Sequence, residues 1–193
     1  FFFFFLLKLV NLLIKMPTTY TLKPHVDNPP VDLSVVASLS RPEKAKWLLA
    51  YDLEGSTEPI IFPKPSSLSR GGDLWQETCF EFFVRHPDGE YLECNFSPSG
   101  QWACFSFAGY RRGMKKMNLQ NDPKILVDSS AGRFRLEVLL DFNGVDLSKY
   151  LEPELLISLT IVIKMRDQRY CYYAMNFPDG QADFHHLDGF WKV

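Results

Sequence analysis

Residues 74–107, LWQETCFEFFVRHPDGEYLECNFSPSGQWACFSF, carry the pattern that decides the fold. Apolar and polar side chains alternate along 79–85, which is the period of a strand with two different faces. Pro87-Asp88-Gly89 predicts a tight turn, because proline presets φ and glycine accepts a positive φ. The run 91–97 alternates in turn, and a second turn at 98–100 leads into 102–107. The stretch therefore predicts a three-stranded antiparallel meander.

Outside this meander, six more runs have strand character and are separated by turn residues: 33–39, 46–53, 124–128, 133–140, 155–164 and 169–175. The run 155–164 is almost continuously apolar, as expected of a central strand buried on both faces. Residues 142–153 leave room for one helical turn, and the tail after 175 predicts an ordered coil. Eight or nine short strands without a long amphipathic helix predict an all-β antiparallel β-sandwich, immunoglobulin-like or jelly-roll-like.

The first fifteen residues, FFFFFLLKLVNLLIK, differ from the rest of the chain. Lys8, Asn11 and Lys15 interrupt the apolar run, which is short for a bilayer span and lacks the features of a signal peptide. We expect 1–15 to be a spurious or disordered extension, translated in error or left by cloning, with Met16 as the natural start. A single domain then covers 16–193, and a cytoplasmic location follows unless the extension is a genuine membrane anchor.

Charge and cysteine content exclude some functions. The net charge is −2 and the pI about 6.1, so a general nucleic-acid binder is not predicted, because no basic excess is available for phosphates. The local basic cluster 111–116 fits a solvated loop better than an anion site. No CxxC spacing suggests a zinc ribbon or thioredoxin-like site. Cys94 and Cys104 could lie on neighbouring strands, which leaves one disulfide open, although reduced thiols are favoured.

Candidate ligand-binding residues cluster on the predicted meander. If the hairpin closes through the Pro87 turn, Glu81 lies on the same face as Glu93 and Asn95, and carboxylate and amide groups together can bind hydroxyl-rich ligands. The alternative is an ordinary solvent face. Trp75, in a polar context before the strand, is the best candidate for stacking on a sugar ring; Trp102 is a second candidate, although any single tryptophan fits core packing better. Arg111 is expected near the rim of such a site.

Metal binding and catalysis have weaker support. Adjacent His185 and His186 point to opposite sides of an extended chain, so hydrogen bonding of the tail onto the sandwich is favoured over a metal site. The sequence contains no nucleophile elbow, HExxH motif, P-loop or dinucleotide-binding fingerprint. Glu81 and Glu93 could in principle serve glycoside hydrolysis, but nothing in the sequence indicates a cleft around them. We therefore predict a protein that is not an enzyme and that needs no cofactor.

Three segments, LWQETCFEFF (74–83), YLECNFSPSGQWACFSFAGYRRGM (91–114) and PDGQADFHHLDGFW (178–191), resemble the DOMON-like domains related to type 9 carbohydrate-binding modules. Trp75, Glu81 and Asn95 match the family pattern, whereas Thr78 stands where type 9 modules usually carry aspartate. The likeness covers nearly all of the chain from about residue 21. It points to a subgroup of small stand-alone bacterial proteins of unassigned function.

The resemblance implies a sandwich with a pocket, in which type 9 modules clamp a terminal sugar between two tryptophans. In other DOMON branches the ligand is haem, held by methionine and histidine, and the candidates here are Met114, Met117 or Met175 with His185 or His186. No oxygen-rich loop for the structural calcium of some type 9 modules is identified. The first hypothesis is thus a non-catalytic module for a sugar or small polar ligand; the others are an interaction scaffold and a haem-binding domain.

Overall fold

A computed structural model describes residues 16–66, 71–145 and 155–192 of the chain. In these residues the chain forms short 3-10 turns at Leu74–Gln76 and Leu187–Gly189, and thirteen β-strands: β1 (Thr18–Thr21), β2 (Lys23–Pro24), β3 (Leu33–Glu43), β4 (Lys46–Gly55), β5 (Cys79–Arg85), β6 (Tyr91–Phe96), β7 (Trp102–Phe107), β8 (Lys115–Lys116), β9 (Lys124–Ser130), β10 (Arg133–Asp141), β11 (Leu156–Lys164), β12 (Tyr170–Ala174) and β13 (Trp191–Lys192). The predicted all-β fold is confirmed.

The strands form two antiparallel sheets. The smaller one has the order β1-β3-β4-β10-β9, and the larger one has the order β2-β12-β11-β5-β6-β7-β8, with β13 pairing beside β11. Strands β1 and β2 are consecutive in the chain but belong to different sheets, so the amino-terminal segment crosses from one layer to the other. No helix among the described residues is long and apolar enough to span a membrane.

The predicted meander is present as β5, β6 and β7. Glu81 lies opposite Asn95, and Phe83 lies opposite Glu93, so the polar positions of β5 and β6 share one face of the sheet. The tight turn between the strands is also confirmed, with Gly89 at a φ of 101° that favours glycine. Strand alternation therefore predicted the faces correctly.

The main core fills the space between the two sheets. Phe80 and Phe82 of β5 point into it and contact Tyr51 and Trp47 of the smaller sheet, with ring centroids 5.2 and 5.3 Å apart respectively. These are the distances at which aromatic rings attract each other at tilted or edge-on angles. Strand β11 is buried along nearly its whole length, which confirms the prediction of a central strand covered on both faces.

The outer face of the larger sheet is also covered, over much of its area, by the carboxy-terminal segment after β12. A second buried cluster there contains Phe83, Tyr91, Phe107, Val162, Ala174, Phe184 and Phe190. The tail that we predicted to be coil contains a 3-10 turn and β13, which pairs with the start of β11. Because of this cover, part of the outer sheet surface becomes the floor of a pocket.

The end of the first predicted strand differs from the structure. The first strand run was predicted to end at residue 39, but β3 continues through Pro42 to Glu43, and the pairing with β4 shifts between Ser40 and Glu43. Such an irregularity accommodates a residue without a backbone donor.

The predictions for 1–15 and for most of 142–153 concern residues that lie outside the described part of the chain. Cys94 lies directly opposite Cys104, and both are free thiols.

Candidate functional site

A pocket of about 710 Å³ opens on the outer face of the larger sheet. Strands β5, β6, β7, β11 and β12 supply its floor, and the loops before β5 and after β7 close two sides. The carboxy-terminal segment closes a third. The lining residues are Gly72, Asp73, Leu74, Trp75, Glu81, Glu93, Asn95, Ala103, Phe105, Phe107, Arg111, Met114, Lys116, Val162, Tyr172, Ala182, Phe184 and His185.

The floor of the pocket carries three polar side chains that the sequence predicted to lie together. Glu81, Glu93 and Asn95 are 3%, 7% and 1% exposed. Thr160 donates a hydrogen bond to Glu81 Oε2 at 3.1 Å, and Asn95 Nδ2 donates to Glu93 Oε1 at 2.7 Å. Asn95 Oδ1 is buried and has no hydrogen-bond partner in the described part of the chain. The floor therefore presents acceptors and is short of donors.

Burial controls the protonation of the two glutamates. It raises the pKa of Glu81 well above its ordinary value, and the neighbouring Glu93 carboxylate raises it further. Burial also raises the pKa of Glu93, against the lowering effects of its hydrogen bond from Asn95 and of the Arg111 charge. Both shifts have the sign expected for acids in a site of low dielectric constant.

One wall of the pocket is a hydrogen-bonded network centred on Tyr91 and Asp183. The Tyr91 hydroxyl accepts from the Arg111 backbone N–H at 3.1 Å and lies 2.7 Å from His185 Nδ1. Asp183 accepts from the Arg111 guanidinium at 2.8 Å, from the His185 backbone N–H at 3.0 Å and from the Tyr110 hydroxyl. The network ties the loop after β7 to the carboxy-terminal segment across the end of the sheet.

His185 is a neutral member of this network at physiological pH. Burial, reinforced by the Arg111 charge, lowers the pKa of its imidazole to about 4. Because the Tyr91 oxygen already accepts the Arg111 amide, we assign its hydroxyl hydrogen to His185 Nδ1 and the imidazole hydrogen to Nε2. His185 Nε2 lies 3.8 Å from Glu93 Oε2, which is too long for a hydrogen bond. Because the imidazole is neutral, the two groups do not form an ion pair either.

Replacing Tyr91 with phenylalanine tests this network. Tyr91→Phe keeps the ring but removes the hydroxyl group to which both the Arg111 N–H and His185 Nδ1 hydrogen bond. We therefore expect the free energy of unfolding to fall by about 1–3 kcal/mol. The matched control is Tyr170→Phe, which removes a hydroxyl bonded to the Gln76 carbonyl at an exposed position. Urea unfolding measures both. A loss for Tyr91→Phe no larger than that of the control would contradict this view of the wall.

The two tryptophans predicted to contact a ligand lie in different parts of the structure. Trp75 is 54% exposed and lines the mouth of the pocket. Trp102 is fully buried in the core between the sheets and lies outside the pocket, so its place among the candidate ligand contacts is corrected. It pairs with Phe96 of β6, and directly opposed residues on antiparallel strands point to the same face. Arg111 lines the pocket as predicted.

Thr78, where the type 9 pattern has aspartate, holds two chain segments together. Its hydroxyl donates to the Ile61 carbonyl at 2.6 Å and accepts from the Lys164 backbone N–H at 3.1 Å. The side chain is fully buried and does not line the pocket. In this chain the position therefore links β11 to the loop before β5.

Several wall residues were not among those predicted from the sequence. Phe105, Phe107, Tyr172 and Phe184 supply aromatic walls, and Lys116 lies exposed at the rim. The outward positions of β7 follow from the alternation that places Trp102 inward, so Phe105 and Phe107 could have been found. Phe184 could not, because its position depends on a tail that folds back over the sheet.

The structure gives little support for a metal site or for haem ligands. Among the described residues, no group of three His, Cys, Asp or Glu side chains is arranged to hold a metal ion. Of the methionines considered as haem ligands, Met114 lines the pocket with His185, whereas Met117 and Met175 pack with the core between the sheets. His186 points away, with Nδ1 accepting from the Asp188 backbone N–H at 3.4 Å.

The antiparallel β-sandwich is similar in fold to type 9 carbohydrate-binding modules. A candidate carbohydrate-binding protein from Bacteroides uniformis matches with a TM-score of 0.63 at 12% identity, over 91% of this chain and 85% of that one. A family 9 carbohydrate-binding module from Caldicellulosiruptor kristjanssonii, in complex with cellotriose, matches with a TM-score of 0.51 at 8% identity, over 85% and 75%. No protein-family model and no curated protein matches the chain.

Proposed function

We propose that this chain is a non-catalytic carbohydrate-binding module whose binding site is the pocket on the outer face of the larger sheet. The observation that carries the proposal is the pocket itself, which combines the exposed indole of Trp75 with the buried polar floor of Glu81, Glu93 and Asn95. Sugar rings have an apolar face that stacks on aromatic rings and hydroxyl edges that hydrogen bond. The likeness in fold to a cellotriose-binding module supports the same assignment.

Binding fits the two glutamates better than hydrolysis does. Glycoside hydrolysis needs carboxyl groups that can reach the glycosidic bond to transfer a proton or to attack the sugar. Glu81 and Glu93 are only 3% and 7% exposed. Each also accepts a hydrogen bond from a neighbour on the sheet, Thr160 or Asn95, which fixes it as part of the floor.

Trp75 provides the direct test. We expect Trp75→Ala to weaken binding of cello-oligosaccharides at least about tenfold, equivalent to about 1.4 kcal/mol, because the stacking surface at the mouth is lost. The matched control is Trp191→Ala, since Trp191 is 45% exposed but does not line the pocket. Isothermal titration with glucose, cellobiose and cellotriose measures the affinities. Equal affinities for the wild type and Trp75→Ala would refute a role for this indole.

A second candidate function is protein interaction, and one surface feature favours it. Strand β9 lies at the edge of the smaller sheet, and its Leu126 and Val127 are 65% and 44% exposed. Exposed apolar side chains on an edge strand are suited to pairing with another chain. If a broad sugar panel gives no binding to the folded protein, the carbohydrate proposal fails and this edge becomes the leading site.

A further inference from the structure

The pocket floor presents more hydrogen-bond acceptors than donors. Asn95 Oδ1 is buried without a hydrogen-bond donor in the described part of the chain. The bonds from Thr160 and Asn95 go to Glu81 Oε2 and Glu93 Oε1, so that the other oxygen of each carboxyl group is available to a ligand. The Glu81, Glu93 and Asn95 side chains are more than nine-tenths buried and line the pocket. Asn95 shows the imbalance most clearly, because its amide group already donates to Glu93 while its oxygen has no partner.

The acidic side chains of the floor also have no direct ion pair with a lysine or arginine among the described residues. The lining residues with basic side chains are Arg111, Lys116 and His185. Arg111 is paired with Asp183 at 2.8 Å, Lys116 is exposed at the rim, and His185 is neutral because its pKa is lowered to about 4. In the described residues no lysine or arginine nitrogen lies within ion-pair distance of Glu81 or Glu93. Buried carboxyl groups without a cationic partner are costly, and a ligand can supply the missing partner.

We infer that the pocket selects ligands that carry a primary ammonium group, and, resting on the proposed function, that its sugar is an amino sugar. An ammonium group has three donors and one positive charge, which matches three acceptors on two acidic side chains and one amide. A hydroxyl group brings a single donor and no charge. The aromatic walls formed by Phe105, Phe107 and Tyr172 suit the apolar face of the same ring, and rings of this kind also attract a nearby cation.

A matched set of disaccharides tests the inference on the wild-type protein. The set is cellobiose, the β-1,4-linked dimer of glucosamine, and the N-acetylated form of that dimer, which differ only in the group on carbon 2. Isothermal titration at a pH below the pKa of the amine should show the free amine binding at least about tenfold more tightly than the other two. Equal affinities of the amine and cellobiose would overturn the inference and leave carbohydrate binding intact.

A second pair of probes separates the inference from the proposed function. Cyclohexylamine and cyclohexanol have the same ring without the other sugar hydroxyls, so tighter binding of the amine supports ammonium selection even if no sugar binds. Failure of every sugar, with the amine preferred in this pair, would remove the carbohydrate proposal alone. If neither the disaccharides nor the cyclohexyl pair shows tighter binding of the amine, the inference is wrong.

Charge-removing variants assign the effect to the floor. Glu81→Gln and Glu93→Gln keep the side-chain size, and each should reduce the preference for the amine over cellobiose by at least about fivefold. Glu58→Gln removes the same charge from an exposed position outside the pocket and should leave the preference unchanged. An undiminished preference in both floor variants would exclude these carboxyl groups as the ammonium site. Circular dichroism of each variant establishes that it is folded.

Discussion

Phe83→Ala is expected to lower the free energy of unfolding by about 3–5 kcal/mol. Phe83 points to the outer face of the larger sheet, yet it is fully buried. Its ring centroid lies 5.5 Å from that of His185, 6.0 Å from Phe190 and 6.4 Å from Tyr91. Truncation removes apolar contact area and leaves a cavity between the sheet and the carboxy-terminal segment that closes the pocket.

Two measurements distinguish this effect from a general loss of stability. Urea unfolding gives the free energy, and Leu126→Ala, at a position 65% exposed on edge strand β9, should change it by no more than about 0.5 kcal/mol. Hydrogen exchange should show residues 177–190 opening more readily in Phe83→Ala, because local opening follows the loss of buried contacts. A loss as small as that of Leu126→Ala would show that the segment does not depend on Phe83.

The sequence was sufficient to predict the meander of the larger sheet and the grouping of the polar residues on the pocket floor. Alternation in 79–85 and 91–97 places Glu81, Glu93 and Asn95 on one face, because a period of two is a local property of the chain. The same rule carried through the turn at 98–100 would have placed Trp102 beside Phe96 in the core.

The closing wall of the pocket depends on contacts that no local pattern encodes. His185 meets Tyr91 across 94 residues of sequence, and Arg111 meets Asp183 across 72. Nothing in the spacing of the tail specifies which sheet face it covers, since that choice is made by the packing of Phe190 against Phe83 and of Phe184 against Tyr172. From the sequence, hydrogen bonding of the tail onto the sandwich was favoured over a metal site, and in the fold His185 and Asp183 hydrogen bond to Tyr91 and Arg111 in this wall.

Glu81→Gln is expected to make the protein more stable than the wild type as pH rises above about 4.3, the ordinary pKa of glutamate in an unfolded chain. Burial raises the pKa of Glu81 well above that value in the folded protein. Between the two pKa values the folded state holds a proton that the unfolded state has released. The stability that this group contributes is therefore fully present below about pH 4.3 and is lost as pH rises through the folded pKa.

Glutamine has no proton to lose, so the difference in unfolding free energy between Glu81→Gln and the wild type should grow with pH, by at most about 1.4 kcal/mol per pH unit. Urea unfolding from pH 4 to pH 8 measures it, and Glu58→Gln controls for removing one negative charge from the surface. Parallel curves for Glu81→Gln and the wild type would contradict the raised pKa.

An ammonium ligand should counter the loss of stability that the wild type shows as pH rises, since it stabilises the ionised carboxyl groups that burial disfavours. At pH 7 the wild type saturated with the glucosamine dimer should differ less in unfolding free energy from unliganded Glu81→Gln than the free wild type does. Saturation with cellobiose should reduce this difference by a smaller amount.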